Sequence, residues 1–528
     1  MALVDRRLNR RIVQVSSVSG GSILNAVLVH RGVNLNTVTS EEFDAVAHDI
    51  TSVIARRGVL TKQWLAVAIS LIIGCGALAG FGYSETSAPS VFMFLAVLIG
   101  AGIPLLWLGH FVTWRLRKSF FPGSPSRPLS KLSSTPVDHV FCASDLITGF
   151  PVYITTWDGG LLWRRTSDLG TMGGILGTDG ELWSAKSLQL AEVVRASAGF
   201  PGIPPRRIAV GRHSRPGQVI KRVDRPGTFG GKVPSHPNWD KGTVMLLSDG
   251  GIVNNLGTQS LREDGFFRGK TAQRSISVLV AANASAPIAA RYYWPYYVPG
   301  ISVVSQLWRC LQIQNINTVV PRVASTRIFL KRRSQAGTYS DNVDLVVNLS
   351  EPTDRLESSL RIMMEEHRDT LRLRNPDHRK WEEDLAGHLR HWFDEHRDIP
   401  AEIDAKETLI ETLENKVMRE PSKIPGFSGI LDHDALDDVT QTQWWVNLAA
   451  LEKSYGEPRV PTTLGRFDAT TIRMLVLRGY MHTYLASIAI RPWSGSRGID
   501  DASKRIAERI ASLGLPLRGS TTGDKRVL

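Results

Sequence analysis

The sequence predicts an α/β protein, the class in which strands alternate with helices around a mainly parallel sheet. Three observations predict this. Short apolar runs of strand length alternate with helical patterns over residues 11–282. Two long uncharged segments interrupt that alternation within residues 64–114, and the region from residue 354 onward is rich in charged, helix-forming residues. We therefore expect a sheet domain with an inserted helical hairpin and a helical C-terminal extension.

Composition limits the classes of function. A chain of 528 residues with 42% hydrophobic residues can build a large core and two to four structural units. Three scattered cysteines are too few for a disulfide framework or a zinc site, so no metal or cofactor is expected. The net charge of +13 suits anionic lipid headgroups or nucleic acid. Because no nucleic-acid recognition motif accompanies the charge, no nucleic acid partner is expected.

The N-terminal region predicts a strand, a sharp turn and two helices. Arg11–Ser16 is typical of a short strand, and Ser22–Val29 is typical of the helix that follows it. Basic residues near the start are not followed by an apolar segment, so no cleaved targeting peptide is predicted. Thr39 to Arg57 forms an amphipathic pattern that begins with a capping box of Thr39 and Glu42. Further apolar runs predict strands at Val140–Ala143, Pro151–Thr155, Val244–Ser248 and Ile276–Ala282.

The two long apolar segments predict a transmembrane hairpin. Trp64–Tyr83 and Val91–Trp114 are uncharged and long enough to cross about 30 Å of hydrocarbon. Basic residues flank the pair on both outer sides and are missing from residues 84–90. The positive-inside rule then predicts that both flanks, and with them the catalytic domain, face the cytoplasm. A buried helix pair in a soluble core is the alternative interpretation.

A candidate nucleophile follows the first predicted strand. Ser17-Val18-Ser19-Gly20-Gly21 lies between that strand and a helix, which is the context of a nucleophile elbow. Ser19 is the central serine, and small neighbours suit such a strained turn. The positive end of the following helix and the Gly20 amide are suited to stabilise an oxyanion. A serine- and glycine-rich turn without chemistry is the alternative.

A candidate base follows the strand at Val244–Ser248. Asp249 lies at the end of that strand, beside Gly250 and Gly251. A carboxylate within reach of Ser19 can take its proton directly, so no histidine would be needed. Taken alone, an Asp-Gly pair is more often a simple turn.

Four sequence blocks in order resemble patatin-like phospholipases. They are SVSGGS at 17–22, HVFCASDLITG at 139–149, LAEVVRASAGFP at 190–201 and DGGIVNN at 249–255. VPTTLG at 460–465, with Gly479-Tyr480, is similar to the C-terminal part of long bacterial members. The resemblance implies a three-layer α/β/α sandwich and a hydrolase that cleaves lipid acyl esters with a serine and aspartate dyad; the apolar hairpin adds the membrane anchor. Carried over, the dyad roles fall on Ser19 and Asp249.

Two departures from the family keep a second function open. The family has a glycine-rich oxyanion loop upstream of the nucleophile, whereas no glycine precedes Gly20 here, and Ser17 replaces the first elbow glycine. Loss of an oxyanion donor costs about 10² to 10³ in turnover. Either the true start lies upstream, or the chain is a catalytically impaired membrane protein that binds lipid or a partner.

The predicted organisation has four parts. Residues 1–60 form the first part of the patatin-like domain, 61–118 the transmembrane hairpin, 119–350 the rest of that domain and 351–528 a mainly helical region. The hairpin would bring the site to membrane lipids, its expected substrates. Within 206–232, eight basic residues against one acid could bind anionic headgroups, or form a solvated loop. The aromatic cluster in 292–297 could lie at headgroup level, or pack as an ordinary loop.

Overall fold

The structure is a computed structural model. It describes residues 1–5, 8–57, 109–121, 127–132, 136–147, 149–165, 180–199, 205–210, 243–254, 257, 278–283, 343–348, 352–358, 360–361, 439–455 and 469–490.

A seven-stranded sheet forms the centre of the described structure. Its strands run in the order β5-β4-β3-β2-β7-β6, and β1 pairs with β2 in addition. Only the β1–β2 pairing is parallel among the pairings described for this sheet. The strands are β1 Gln14–Ser17, β2 Asp138–Asp145, β3 Pro151–Thr155, β4 Leu161–Arg165, β5 Gly180–Ser184, β6 Arg206–Val210 and β7 Thr243–Asp249. Strands β8 (Val278–Asn283) and β9 (Val343–Asn348) form a separate parallel pair.

The prediction of a mainly parallel sheet in a three-layer α/β/α sandwich is wrong. The sheet is mostly antiparallel and curls into a half-barrel. The reason lies in the connections between strands. Only residues 146–150 separate β2 from β3, and only residues 156–160 separate β3 from β4. A parallel crossover needs about a dozen residues or more, so these strands can pair only as antiparallel neighbours.

Helices cover one face of the sheet. Apolar side chains of α2 (Gly21–Arg31), α3 (Ser40–Arg57) and α4 (Leu190–Ser197), and of a helical segment at residues 109–120, join side chains of β2, β3 and β4 in one buried core. The helices are α1 Ala2–Asp5, α2 Gly21–Arg31, α3 Ser40–Arg57, α4 Leu190–Ser197, α5 Gly251–Asn254, α6 Gln443–Ser454 and α7 Ala469–Ile490. The predicted helices α2 and α3 are confirmed.

The predicted capping box at the start of α3 is also present. The Thr39 amide donates to Glu42 Oε2 at 3.1 Å, and the Glu42 amide donates to Thr39 Oγ1 at 3.3 Å. Two amides at the helix start that lack intrahelical partners are thereby satisfied.

The prediction of an integral membrane protein with two transmembrane helices and a cytoplasmic catalytic face is wrong. Within the described residues, no helix combines the length and the apolar character that a bilayer crossing requires. Trp64–Tyr83 lies outside the described residues, and so does Val91–Trp114 as far as residue 108.

Of the second apolar segment only residues 109–114 are described, and Val112 there packs into the core of the sheet together with two residues that follow the segment. In the helical segment at 109–120, Val112, Leu116 and Phe120 are 2%, 3% and 4% exposed and belong to the core of the sheet. Spaced four residues apart, they form a single apolar stripe. This stripe packs against protein, while Trp114 on another face of the helix is 48% exposed.

Candidate active site

Strands β1 and β7 meet end to end on the same edge of β2. Ser17 of β1 lies opposite Phe141, and Asp249 of β7 lies opposite Ala143. The other edge of β2 is occupied by β3. Because β1 runs parallel to β2 and β7 runs antiparallel to it, the carboxyl ends of both strands point toward Cys142. The turns that carry Ser19 and Asp249 therefore lie next to each other.

The turn between β1 and α2 has the backbone of a nucleophile elbow. Ser19 has a φ of 53° and is the one non-glycine residue with positive φ in the described part of the chain. That conformation is sterically unfavourable for a residue with a side chain, and such strain concentrates at functional sites. The turn is tight, since the Gly21 amide donates to the Val18 carbonyl at 3.0 Å and the Ser22 amide to the Ser19 carbonyl at 3.0 Å.

The backbone around Gly20 leaves one amide available to a ligand. The Ser19 amide is already used, because it donates to the Ser197 carbonyl at 3.1 Å. The Gly20 amide has no partner among the described residues. It lies at the N-terminus of the eleven-residue helix α2, where a partial positive charge accumulates. A Cβ added at Gly20 would meet no atom within 4 Å, so the turn is not crowded on that side of the residue.

Asp249 is a buried carboxylate with one oxygen left unsatisfied. It is 4% exposed, and its Oδ1 accepts a hydrogen bond of 2.7 Å from the Gly251 amide. Its Oδ2 has no hydrogen-bond partner among the described residues. Burial raises the pKa of Asp249 to about 6, while the Gly251 amide and the Ser19 hydroxyl lower it. At pH 7 the carboxylate is therefore ionised and able to accept a proton.

The Ser19 hydroxyl lies close enough to Asp249 to affect its pKa. Between these two described side chains no hydrogen bond of ordinary length is formed. Catalytic hydrogen bonds are often long in ligand-free sites and shorten when substrate binds.

The turn after β7 needs glycine for steric reasons. A Cβ at Gly250 would lie 2.4 Å from the Cys142 carbonyl oxygen, so only glycine lets this turn approach β2 so closely. Gly251 begins α5 and supplies the amide that binds Asp249. Both glycines thus help to hold the carboxylate beside the elbow.

A buried polar network behind the elbow was missed by the sequence analysis. We call it the elbow network; its members are Ser17, Ser22, Asn25, His139 and Ser197, each at most 8% exposed. Asn25 Nδ2 donates to Ser17 Oγ at 2.8 Å, and Ser17 Oγ donates to the Val140 carbonyl at 3.1 Å. Ser17 is therefore a structural anchor and not merely a small replacement for glycine. Asn25, a polar residue on an apolar helix, was the signal in the sequence.

His139 belongs to this network but is poorly suited to act as a base. Its Nδ1 lies 2.6 Å from Asn25 Oδ1. Because the Asn25 amide nitrogen faces Ser17, its oxygen accepts and His139 Nδ1 donates. Burial lowers the pKa of His139 to about 4, so the ring is neutral at pH 7.

Gly257 is a second site residue that the sequence analysis missed. Its carbonyl accepts a hydrogen bond of 2.7 Å from Ser16 Oγ. It has a φ of 65°, and a Cβ there would lie 2.8 Å from Val18 Cγ2. Residue 257 therefore packs directly against the strand and turn that carry Ser19.

Other predicted features lie mostly outside the described residues. Of the basic segment, Arg206–Val210 forms β6, and Arg206 makes an ion pair of 2.5 Å with Glu192. The remaining basic residues at 211–232, and the aromatic cluster at 292–297, are not among those described. Within the described chain no group of side chains is arranged to hold a metal ion.

Comparisons with protein-family models, with curated proteins and with solved structures find no match to this chain. The class of protein must therefore be argued from the site. A strained serine at a strand-to-helix turn, beside a buried carboxylate, is compatible with a serine nucleophile and a carboxylate base.

Proposed function

We propose that this protein is a serine hydrolase of lipid acyl esters, with Ser19 as nucleophile and Asp249 as base. The observation that carries the proposal is the positive φ of Ser19 beside the open Oδ2 of Asp249. The four sequence blocks similar to patatin-like phospholipases support the same dyad.

The proposed reaction proceeds in two halves. Asp249 takes the proton of Ser19 Oγ as Oγ bonds to the ester carbonyl carbon, and the carbonyl oxygen becomes an oxyanion near the Gly20 amide. The ester C–O bond then breaks, and the alcohol leaves with the proton returned by Asp249. In the second half, Asp249 takes a proton from water, whose oxygen attacks the acyl-enzyme. The carboxylic acid is released, and the proton returns to Ser19.

Two features favour a lipid substrate. Leu24 is 39% exposed, four residues after Gly20 and hence on the same side of α2. Its apolar side chain, one turn from the proposed nucleophile, is available to contact an acyl chain. The net charge of +13 suits anionic lipid headgroups.

A second candidate function is a protein that binds lipid or a partner without hydrolysis. It is favoured by the oxyanion site, where the Gly20 amide is the only donor that we assign from the described residues. Loss of one donor costs about 10² to 10³ in turnover, so a site with one amide is a weak catalyst.

Labelling with a fluorophosphonate separates the two candidates. A serine activated by a base reacts covalently with this reagent, whereas an ordinary turn serine does not. We expect the protein to be labelled and to hydrolyse p-nitrophenyl esters, and Ser19→Ala to abolish both.

Ser52→Ala is the control, because Ser52 lies on α3 and bonds only locally, to the Asp49 carbonyl. It should leave labelling and hydrolysis unchanged. Absence of both from the wild-type protein would favour the binding function, and labelling that survives Ser19→Ala would place the nucleophile elsewhere.

A further inference from the structure

Ser197, the last residue of α4, touches both halves of the dyad through one carbonyl group. That carbonyl accepts the Ser19 amide at 3.1 Å and the Gly250 amide at 3.3 Å. The residue is 0% exposed. One oxygen atom is thus bonded to the nucleophile residue and to the turn that carries the base.

The hydroxyl of Ser197 fixes the position of that carbonyl. Its Oγ donates to the Cys142 carbonyl at 2.5 Å and lies 2.7 Å from Ser22 Oγ. Because the Ser197 hydroxyl proton goes to Cys142, the one proton of Ser22 is shared between Ser197 Oγ at 2.7 Å and Ser17 Oγ at 3.2 Å. Cys142 is the position on β2 at which the ends of β1 and β7 meet. Ser197 is therefore bonded to the elbow, to α2, to β2 and to the turn after β7.

We propose that Ser197 is a positioning residue that sets the separation between Ser19 and Asp249; this inference rests on the proposed function. Strands β1 and β7 lie end to end and share no ladder of hydrogen bonds. Their relative position therefore depends on β2 and on residues that bridge the two turns. The Ser197 carbonyl is such a bridge, and its hydroxyl is the anchor of the bridge.

The expected effect follows from the sensitivity of catalysis to distance. A displacement of about 1 Å of a reacting group can cost about 100-fold in rate. Ser197→Ala keeps the carbonyl but removes the anchor. We expect kcat for a p-nitrophenyl ester, and the rate constant of fluorophosphonate labelling, to fall about 10- to 100-fold. KM should change less than about twofold, because Ser197 is buried and does not line the substrate site.

Ser144→Ala is a matched control. Ser144 lies in β2 and, like Ser197, is fully buried, at 1% exposure, but its hydroxyl has no partner among the described residues. It should leave kcat and the labelling rate within about twofold of the wild type, because no bridge is broken.

Ser22→Ala tests the same anchor from the other side. If the two hydroxyls act through their mutual contact, their effects should not be independent. The fold-loss in labelling rate of the double variant should then be no more than about half the product of the fold-losses of the two single variants. Circular dichroism shows whether Ser197→Ala folds. If it does not, Ser22→Ala alone tests the anchor.

Each outcome has a separate meaning. Wild-type labelling, with a Ser197→Ala labelling rate like that of Ser144→Ala, overturns the positioning role but leaves the proposed function intact. A rise in KM alone, or a loss that matches the unfolded fraction, also overturns it. A wild-type protein that neither labels nor hydrolyses esters refutes the proposed function, and the positioning role with it.

Discussion

Two buried polar clusters of this protein differ in whether the charged groups in and beside them are paired. In the elbow network, neutral hydroxyl and amide groups bond to one another and to the backbone of β2. Between α6 and α7, Arg478 Nε donates to Glu452 Oε1 at 2.6 Å, and both residues are at most 5% exposed. Nearby on α7 lies His482, with neither ring nitrogen bonded within the described residues. The second cluster pairs its charges, whereas the first has an unpaired carboxylate, that of Asp249, beside it.

The comparison shows that a shifted pKa is not peculiar to the candidate site. Burial lowers the pKa of His139 to about 4, and burial together with the nearby Arg478 lowers the pKa of His482 to about 4 as well. Among the described residues, only the first region has a strained residue, Ser19, next to a carboxylate oxygen without a partner. Backbone strain and the unpaired carboxylate oxygen therefore distinguish the candidate site from the second cluster, whereas the pKa does not.

The largest effect should come from Asp249→Asn. The amide keeps the size of the side chain but cannot accept the serine proton, so kcat should fall by at least about 10³-fold. Stability should not fall. The folded-state pKa of Asp249, about 6, exceeds the ordinary value of 3.8. Ionised Asp249 therefore destabilises the folded state once the pH exceeds 3.8, by about 3 kcal/mol at pH 7. Kinetics and thermal unfolding measure the two effects.

Asp138→Asn provides the control for that substitution. Asp138 lies at the start of β2, and burial raises its pKa to about 7. The pKa of Asp138 is raised by burial, as that of Asp249 is, but Asp138 is not next to the proposed nucleophile. Its substitution should therefore leave kcat within about threefold of the wild-type value. A loss as large as that of Asp249→Asn would remove the distinction between the two carboxylates.

The pH dependence of turnover should follow the ionisation of Asp249. Because the ionised form accepts the proton, kcat/KM should rise about tenfold per pH unit below a midpoint near 6 and level off above it. The pH profile of p-nitrophenyl ester hydrolysis measures this. A midpoint near 4 would mean that the carboxylate is not desolvated, and would count against a buried base.

The smallest effects should separate the two histidines. Each histidine has a folded-state pKa of about 4, below its ordinary value of 6.5. Each therefore destabilises the folded protein as the pH falls from 6.5 toward 4. His482→Leu removes that penalty without breaking a hydrogen bond among the described residues, so at pH 5 it should stabilise the protein by about 2 kcal/mol. His139→Leu leaves Asn25 Oδ1 unpaired and should cost about 1–3 kcal/mol at pH 7.

Denaturant unfolding at pH 5 and pH 7 measures both histidine variants. Equal effects of the two substitutions at pH 7 would show that the bond between His139 and Asn25 contributes nothing. The contrast between a bonded and an unbonded buried ring would then be lost.

Local patterns predicted the elements of this fold but not their arrangement. The runs at Val140–Ala143, Pro151–Thr155 and Val244–Ser248 all lie within strands of the sheet. Alternation with helices suggested parallel pairing, whereas the short connections impose antiparallel pairing. A hydrophobicity window likewise could not show that Val112, Leu116 and Phe120 form one buried stripe.

Residues of the candidate site could be predicted only where their neighbours in the sequence indicate their role. Ser19 and Asp249 could be chosen because each follows a strand and adjoins glycines. Ser197 and Gly257 could not, because their roles depend on contacts with distant parts of the chain. Ser16 and Gly257, for example, are 241 positions apart.

The meeting of β1 and β7 on β2 also bears on how the protein is made. A ribosome releases the strained serine long before the strand that brings its carboxylate, and the edge of β2 beside it stays empty in between. Until β7 emerges, the nascent chain contains the proposed nucleophile without its proposed base. If the proposed function holds, activity would therefore appear late in synthesis, after most of the sheet has formed, and a chain terminated before residue 243 would be inactive.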